Sequence, residues 1–364
     1  MDGGILNARP GVDLNGNGFQ IMFMNGGKAD FQGTPVFTWS NNGAKQNLSR
    51  DINFRNLRRI IFLDAAGRST LRYFTISDSG TPTAGDFPLH FHLNGDSTRG
   101  TIVEGVVVVN GANHAFVPHG SHGITFKDVI AKNTTGDAFY WNPVGSNGCP
   151  TSGTQRNCTT DNSNDISYIH ALADGVNGDG FVLRAGSGNV VRNSAAINVN
   201  PSKGSHCAAF YWPSDANLNA GGNVWVFENN HGVSRCNGIR VWQNGGNHHV
   251  INGFTGGGIE HGAYGNSYEY INVDVPYFKI FAKGVSIRDS RIKVVEVFNH
   301  SGEPGQPTAI FTNVQIERVV VNNGGNNGEV SGQYVFNNTG LTCGDIEYQK
   351  VVPGTQVIID GEVC

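Results

Sequence analysis

Asp86-Phe-Pro-Leu-His-Phe-His-Leu-Asn-Gly-Asp96 is the stretch whose pattern decides the fold. Its side chains alternate with a period of two, the mark of a strand. Leu89, Phe91 and Leu93 point one way, and His90 and His92 the other. A carboxylate, Asp96, follows within a turn. Further on, Asn113-His-Ala-Phe-Val-Pro-His-Gly-Ser-His-Gly123 adds His114, His119 and His122. If the two segments stack as neighbours, their histidines converge.

The chain repeats in a way that predicts such stacking. A small or polar residue, a small residue and a large apolar one recur as His114-Ala-Phe-Val, Asp137-Ala-Phe-Tyr-Trp, Asp179-Gly-Phe-Val-Leu, Ala208-Ala-Phe-Tyr-Trp and Asn237-Gly-Ile-Arg-Val-Trp. The first two copies are 23 residues apart, and later spacings lengthen. Second short strands fall between them, at Ile124-Thr-Phe-Lys-Asp-Val-Ile, Ile166-Ser-Tyr-Ile-His-Ala, Asn189-Val-Val-Arg-Asn and Val224-Trp-Val-Phe-Glu-Asn. A period in the twenties, with β-branched and aromatic strands between Asn, Gly and Asp turns, predicts a β-solenoid.

Composition points the same way. Glycine supplies 51 of 364 residues, as a chain full of tight turns requires. The apolar residues are mainly Val, Ile and Phe, which argues against helix. No Pro-rich or charged linker divides the chain, so one elongated domain is expected over 1–364. Residues 60–272 form its core coils. Residues 1–60 are first coils or an N-terminal cap, and 273–364 further coils or a C-terminal cap, irregular in either case.

The formal charge is −4 with no basic run, which excludes a nucleic-acid footprint. No apolar stretch reaches membrane-spanning length. Met1 is not followed by a basic start and an apolar core, so the chain is either cytoplasmic or a mature secreted one. The six cysteines favour secretion, because three local pairings suggest themselves. Cys149 and Cys158 bracket a loop, Cys207 and Cys236 sit about one coil apart, and Cys343 and Cys364 tie down the C-terminus.

Gly80 to Asp96, Val117-Pro-His-Gly-Ser-His-Gly-Ile-Thr-Phe-Lys-Asp-Val129 and Gly136-Asp-Ala-Phe-Tyr140 resemble the β-helix core of the hyaluronan-depolymerising family. That family includes the cell-migration-inducing and hyaluronan-binding protein and the cell-surface transmembrane hyaluronidase. Weaker similarity covers Gln20 to Gly33 and Phe210 to Asn219, roughly half the chain in all. The resemblance implies a right-handed parallel β-helix and hyaluronan cleavage outside the cell. It carries over His90, His92, Asp96, His119 and Gly120 as matched motif positions. The family's preceding glycine-rich domain is missing, and Asp137 stands where its members tend to have histidine.

The flat faces of a β-helix suit an extended polymer, and the residue types fit a polysaccharide. Tyr140-Trp141, Tyr211-Trp212 and Trp242 offer aromatic platforms, although alternation exposes only one of each neighbouring pair. Trp141, Trp212 and Trp242 stacked inside would leave Tyr140, Tyr211 and Arg240 outside. Hydrolysis of a glycosidic bond usually takes two carboxyl groups, and Asp86, Asp96, Asp137 and Asp179 are the candidates. The same aspartates equally suit hydrogen bonds to turn backbone. Elimination next to a uronate would use a histidine base and a cation from Arg99, Arg184, Arg192 or Arg240.

The expectation is therefore a secreted depolymerase of hyaluronan or a similar uronate-containing polymer, acting by hydrolysis. Its catalytic candidates are His90, His92, Asp96, His119 and Asp137, and its substrate contacts Tyr140, Tyr211, Arg184, Arg240 and Trp242. No metal is assigned. A divalent ion such as zinc would suit His90, His92, His114 and His119 with Asp96, the first three being the leading set, whereas calcium would prefer Asp/Asn turns. The alternatives are a lyase and a non-enzymatic, glycan-binding or adhesive solenoid. Oligomeric state is left open.

Overall fold

The computed structural model describes residues 1–34, 52–63, 66–83, 86–141, 163–183, 186, 188–199, 207–212, 226–242, 248–262, 267–281, 284–298, 307–322 and 332–364. The chain is a parallel β-helix. Short strands recur in triplets, and each strand pairs in parallel with its counterpart one coil later. One ladder runs through Ile102–Glu104, Thr125–Lys127, Ser167–Ile169, Val190–Arg192 and Val226–Glu228. A second runs through Val107–Val109, Ile130–Lys132, Leu172–Asp174 and Ala195–Val199. The third carries the histidines, through Leu89–Gly95, Phe116–Ser121, Phe139–Tyr140, Phe181–Val182, Ala208–Trp212, Asn237–Val241 and Ile259–His261.

The corner between the first two ladders shows why this sequence makes coils of constant shape. From Arg72 to Asp274 it takes two residues each time, as between Glu104 and Val107, Lys127 and Ile130, and Arg192 and Ala195; in the first coils it takes four after Ala8 and twenty after Gln32. The first of the two has positive φ: Tyr73, Gly105, Asp128, His170, Asn193, Asn229, Gly253 and Asn272. Left-handed backbone is open to glycine and tolerated by Asn and Asp, which is why those residues punctuate the sequence. Gly105 needs its missing side chain for a second reason, since a Cβ there would lie 2.4 Å from the Tyr73 ring. Side chains at this corner bond from coil to coil, as Asn272 Nδ2 does to Asn252 Oδ1 at 3.2 Å and Asn338 Nδ2 to Asn313 Oδ1 at 2.7 Å.

Inside, like stacks on like. Phe116, Phe139, Phe181 and Phe210 form a continuous column with centroid separations of 5.2, 4.5 and 4.7 Å. Phe23, Phe62 and Phe91 form another, each step 4.7 Å. These separations follow the spacing between paired strands, so each coil covers the apolar face of the last. His249, His261, Tyr268 and Tyr270 also face this interior, all at most 1 % exposed, and His261 Nδ1 lies 2.9 Å from the Tyr270 hydroxyl.

The described parts of both ends continue the stack. Ile5–Ala8, Asp13–Asn15 and Gln20–Phe23 pair in parallel with the following coil, so this early segment forms coils. Val285–Val297 and Pro307–Asn322 are single long strands that run around the coil. At the C-terminus Glu362–Val363 turns back antiparallel on Gln356–Ile359, and Cys343–Cys364 closes that end. Cys207–Cys236 bridges neighbouring coils. Cys149 and Cys158 lie outside the described residues. Among the described residues helix is limited to two short 3-10 turns, and no helix is long and apolar enough to cross a membrane.

Candidate functional site

His90 and His92 leave the same face of Leu89–Gly95 because Leu89 and Phe91, which alternate with them, are buried in the core. Parallel pairing sets Val117 beside His90 and His119 beside His92. Three imidazoles thus meet. His92 Nδ1 and His119 Nδ1 are 3.0 Å apart, and one nitrogen from each of His90, His92 and His119 lies within 4.8 Å of the others. The His90 ring lies parallel to that of His119 at 5.9 Å and edge-on to that of His92 at 5.0 Å. His90 is 2 % exposed, whereas His92 and His119 are half-buried, so the group opens to solvent on one side.

His114, expected as the third ligand, is not in this trio, and His119 takes its place. Nδ1 of His114 lies 3.0 Å from the backbone N–H of Asp137 and 3.1 Å from the Asp137 carboxylate. The ring also stacks on Tyr140 at 4.2 Å and lies 5.2 Å from Phe87, which touches His90 at 4.9 Å. Ring contacts therefore run unbroken from the trio through Phe87 and His114 to Tyr140.

Asp137 and Asp179 sit one coil apart and share one task. The Asp137 carboxylate accepts the N–H of Asp179 at 2.6 Å, and that of Asp179 accepts the N–H of Ala208 at 2.8 Å. His114 does the same for Asp137. The polar residue two places before each stacked apolar residue thus ties its coil to the next. This is the turn-backbone alternative weighed against catalysis for both aspartates.

The carboxylates flanking the histidine strand are both held ionised. Asp86 is buried, which pushes its carboxyl up, but hydrogen bonds from Arg58 at 2.8 Å and Thr81 at 2.8 Å and the charges of Arg58 and Arg59 outweigh this and hold it below the usual range. Asp96 is exposed, and hydrogen bonds from Arg99 and His122 hold it low as well. It reaches His122 at 3.1 Å, and Arg99 also binds Asp165 at 2.7 Å. Sequence reasoning missed Arg58, Arg59 and Phe87. The arginines sit on the preceding coil, which lacks the repeat copies read from the sequence, and Phe87 precedes its strand at the position that His114 occupies on the next coil.

The same outer face continues along the ladder as Tyr140, Val182, Tyr211 and Arg240, each beside the last. Trp141 and Trp212 are buried in the core, as one of the two expectations had it. Trp242 departs from it: Trp212 pairs with Val241, so Trp242 falls one place further and packs on the outside against the cluster of Val182, Ala208 and Tyr211, which Tyr140 also joins. Tyr211 is only 4 % exposed and fills the strip rather than forming a platform. Arg240 lies 5.3 Å from the Trp242 ring centre and 3.4 Å from Glu260. Arg192 is paired with Glu228 at 2.7 Å, and Arg184 lies outside the described residues. Five rung spacings of about 4.8 Å put the histidine strand roughly 24 Å from the Arg240 strand.

Residues 59–143, which contain the trio, His114, Asp137 and Tyr140, match the family profile described as CEMIP beta-helix. The chain is also 30 % identical over 76 residues to a human protein, the cell surface hyaluronidase CEMIP2. That similarity covers 19 % of this chain and 6 % of the relative, so only a small fraction of the larger protein is represented. The segment that resembles the CEMIP β-helix is the segment that builds the histidine site.

Proposed function

We propose that this chain is an extracellular polysaccharide depolymerase, acting on hyaluronan or a similar uronate-containing glycan. The observation that carries the proposal is the convergence of His90, His92 and His119 at one end of an aromatic strip, within the segment similar to a hyaluronidase family. Tyr140 and Trp242 offer apolar ring faces to sugars, and Arg240 meets a carboxylate. Tyr211 and Asp137 support this surface from beneath and between coils. The half-buried imidazoles of His92 and His119 supply proton transfer. The disulfides Cys207–Cys236 and Cys343–Cys364 support an extracellular setting, where oxidised cysteines persist.

Hydrolysis is the reaction suggested by the relative's name. A specific observation favours elimination as a second reading. A pair of carboxyl groups hydrolyses glycosides only if one is protonated, and Asp86 and Asp96 are both held in the opposite direction. An imidazole that takes the proton beside a neutralised uronate and returns it to the departing glycosidic oxygen needs no protonated carboxyl group.

The test is a panel of glycans led by hyaluronan, read by size-exclusion chromatography and by the ultraviolet absorbance of unsaturated uronates. Shortened chains without absorbance identify hydrolysis, and shortened chains with it identify elimination. Intact chains throughout would leave an adhesive or glycan-binding solenoid and overturn the proposal.

A further inference from the structure

We propose that His90, His92 and His119 bind one divalent transition-metal ion, Zn²⁺ first, with an open coordination position toward solvent. Metal-bound nitrogens at the usual 2.0–2.1 Å stand about 3 Å from each other. His92 Nδ1 and His119 Nδ1 already have that separation, 3.0 Å. One nitrogen of each ring, His90 included, lies within 4.8 Å of the others.

His92 and His119 bring their Nδ1 atoms together, and His90, nearly fully buried, packs edge-on to the first ring and parallel to the second. The backbone holds all three in place, two at alternate positions of one strand and the third as the lateral neighbour of His92 in a parallel ladder. Such preorganisation lowers the cost of gathering ligands.

The donor set selects the metal. Three imidazoles without a carboxylate suit zinc, copper or nickel and are a poor site for calcium or magnesium, which take oxygen. One covered ligand and two half-buried ones leave a single side for approach. Three protein ligands and one free position are the pattern of catalytic rather than structural zinc. The metal site rests on the histidine geometry alone. Only its use rests on the glycan reading: a bound ion would take a uronate carboxylate at the free position and replace, rather than add to, proton transfer by His92 and His119.

The test is titration of the chelator-stripped protein with Zn²⁺ by calorimetry, and with Co²⁺ followed by its visible absorbance. The full chain should take up one equivalent. His92→Ala and His119→Ala should each weaken binding by about tenfold or more, as loss of one ligand from three requires. His231→Ala, which removes an imidazole bonded to Thr255 on another ladder, should leave binding unchanged. Circular dichroism checks that each variant is folded, and His119→Asn replaces His119→Ala if that variant is not. No uptake by the folded wild-type chain, or equal uptake by the His92, His119 and His231 variants, overturns the proposal. Neither readout involves a glycan, so metal binding without depolymerisation would sink the functional proposal and leave this one standing.

Discussion

The backbone N–H of Asp179 donates to the Asp137 carboxylate at 2.6 Å, from one coil to the next. This bond sets the duty of a residue that, by type and place, also suited catalysis. Asp137→Asn keeps an acceptor and should leave stability and glycan cleavage close to wild type. Asp137→Ala strands a buried N–H and should cost about 1–3 kcal/mol in urea denaturation. Loss of cleavage in a stable Asp137→Asn chain would return the carboxylate to the chemistry.

The His90→Ala/His92→Ala double variant should lose glycan cleavage by about a hundredfold or more, the scale of general acid–base catalysis. Its far-ultraviolet circular dichroism should be unchanged, since Leu89 and Phe91 carry the core contacts of this strand. Normal turnover by the folded variant would remove the histidine trio from the reaction.

Burial, with a smaller contribution from His249, pushes His261 down to about 3 from its ordinary 6.5. The folded chain therefore keeps this imidazole neutral where the unfolded chain would protonate it. Stability from this group is complete above pH 6.5 and is lost as pH falls toward 3, by on the order of 5 kcal/mol in total. His261→Gln, which retains a partner for the Tyr270 hydroxyl, should flatten the urea midpoint across that window. An unaltered slope would mean that other groups govern acid unfolding.

The Cys207–Cys236 bridge spans 29 residues. Replacing both cysteines by alanine should cost about 3 kcal/mol, in line with loops of this size. Thermal unfolding compared with the parent under non-reducing conditions measures it. Equal melting temperatures would show that stacking alone holds this pair of coils.

Much of the fold was legible because solenoid coils repeat their physics. Gly105, Asp128 and Asn193 mark one corner, and Phe116, Phe139, Phe181 and Phe210 mark one column. His90 and His92 were legible from alternation, and His119 from the copy on the next coil. Trp242 needed a count: Trp212 follows Phe210 by two places, but Trp242 follows Ile239 by three, which turns it to the other face. His114 was assigned to the wrong partner because its position in the repeat, shared with Asp137 and Asp179, serves the backbone of the next coil. The Asp86 pairing with Arg58 and Arg59 joins neighbouring coils, Ile60 pairing with Leu89, but that earlier coil carries none of the repeat copies that begin at His114, so the repeat gave no sign of it.

From Arg72 to Asp274 the two-residue corner keeps its length, whereas over the same coils the connection leaving the histidine ladder ranges from three residues, after Ser121, to 26, after Tyr140. In these coils insertions and deletions are thereby channelled to the border of the candidate strip. Descendants of such a chain can diversify what they grip while the scaffold's pitch stays untouched, so specificity and architecture evolve on separate clocks.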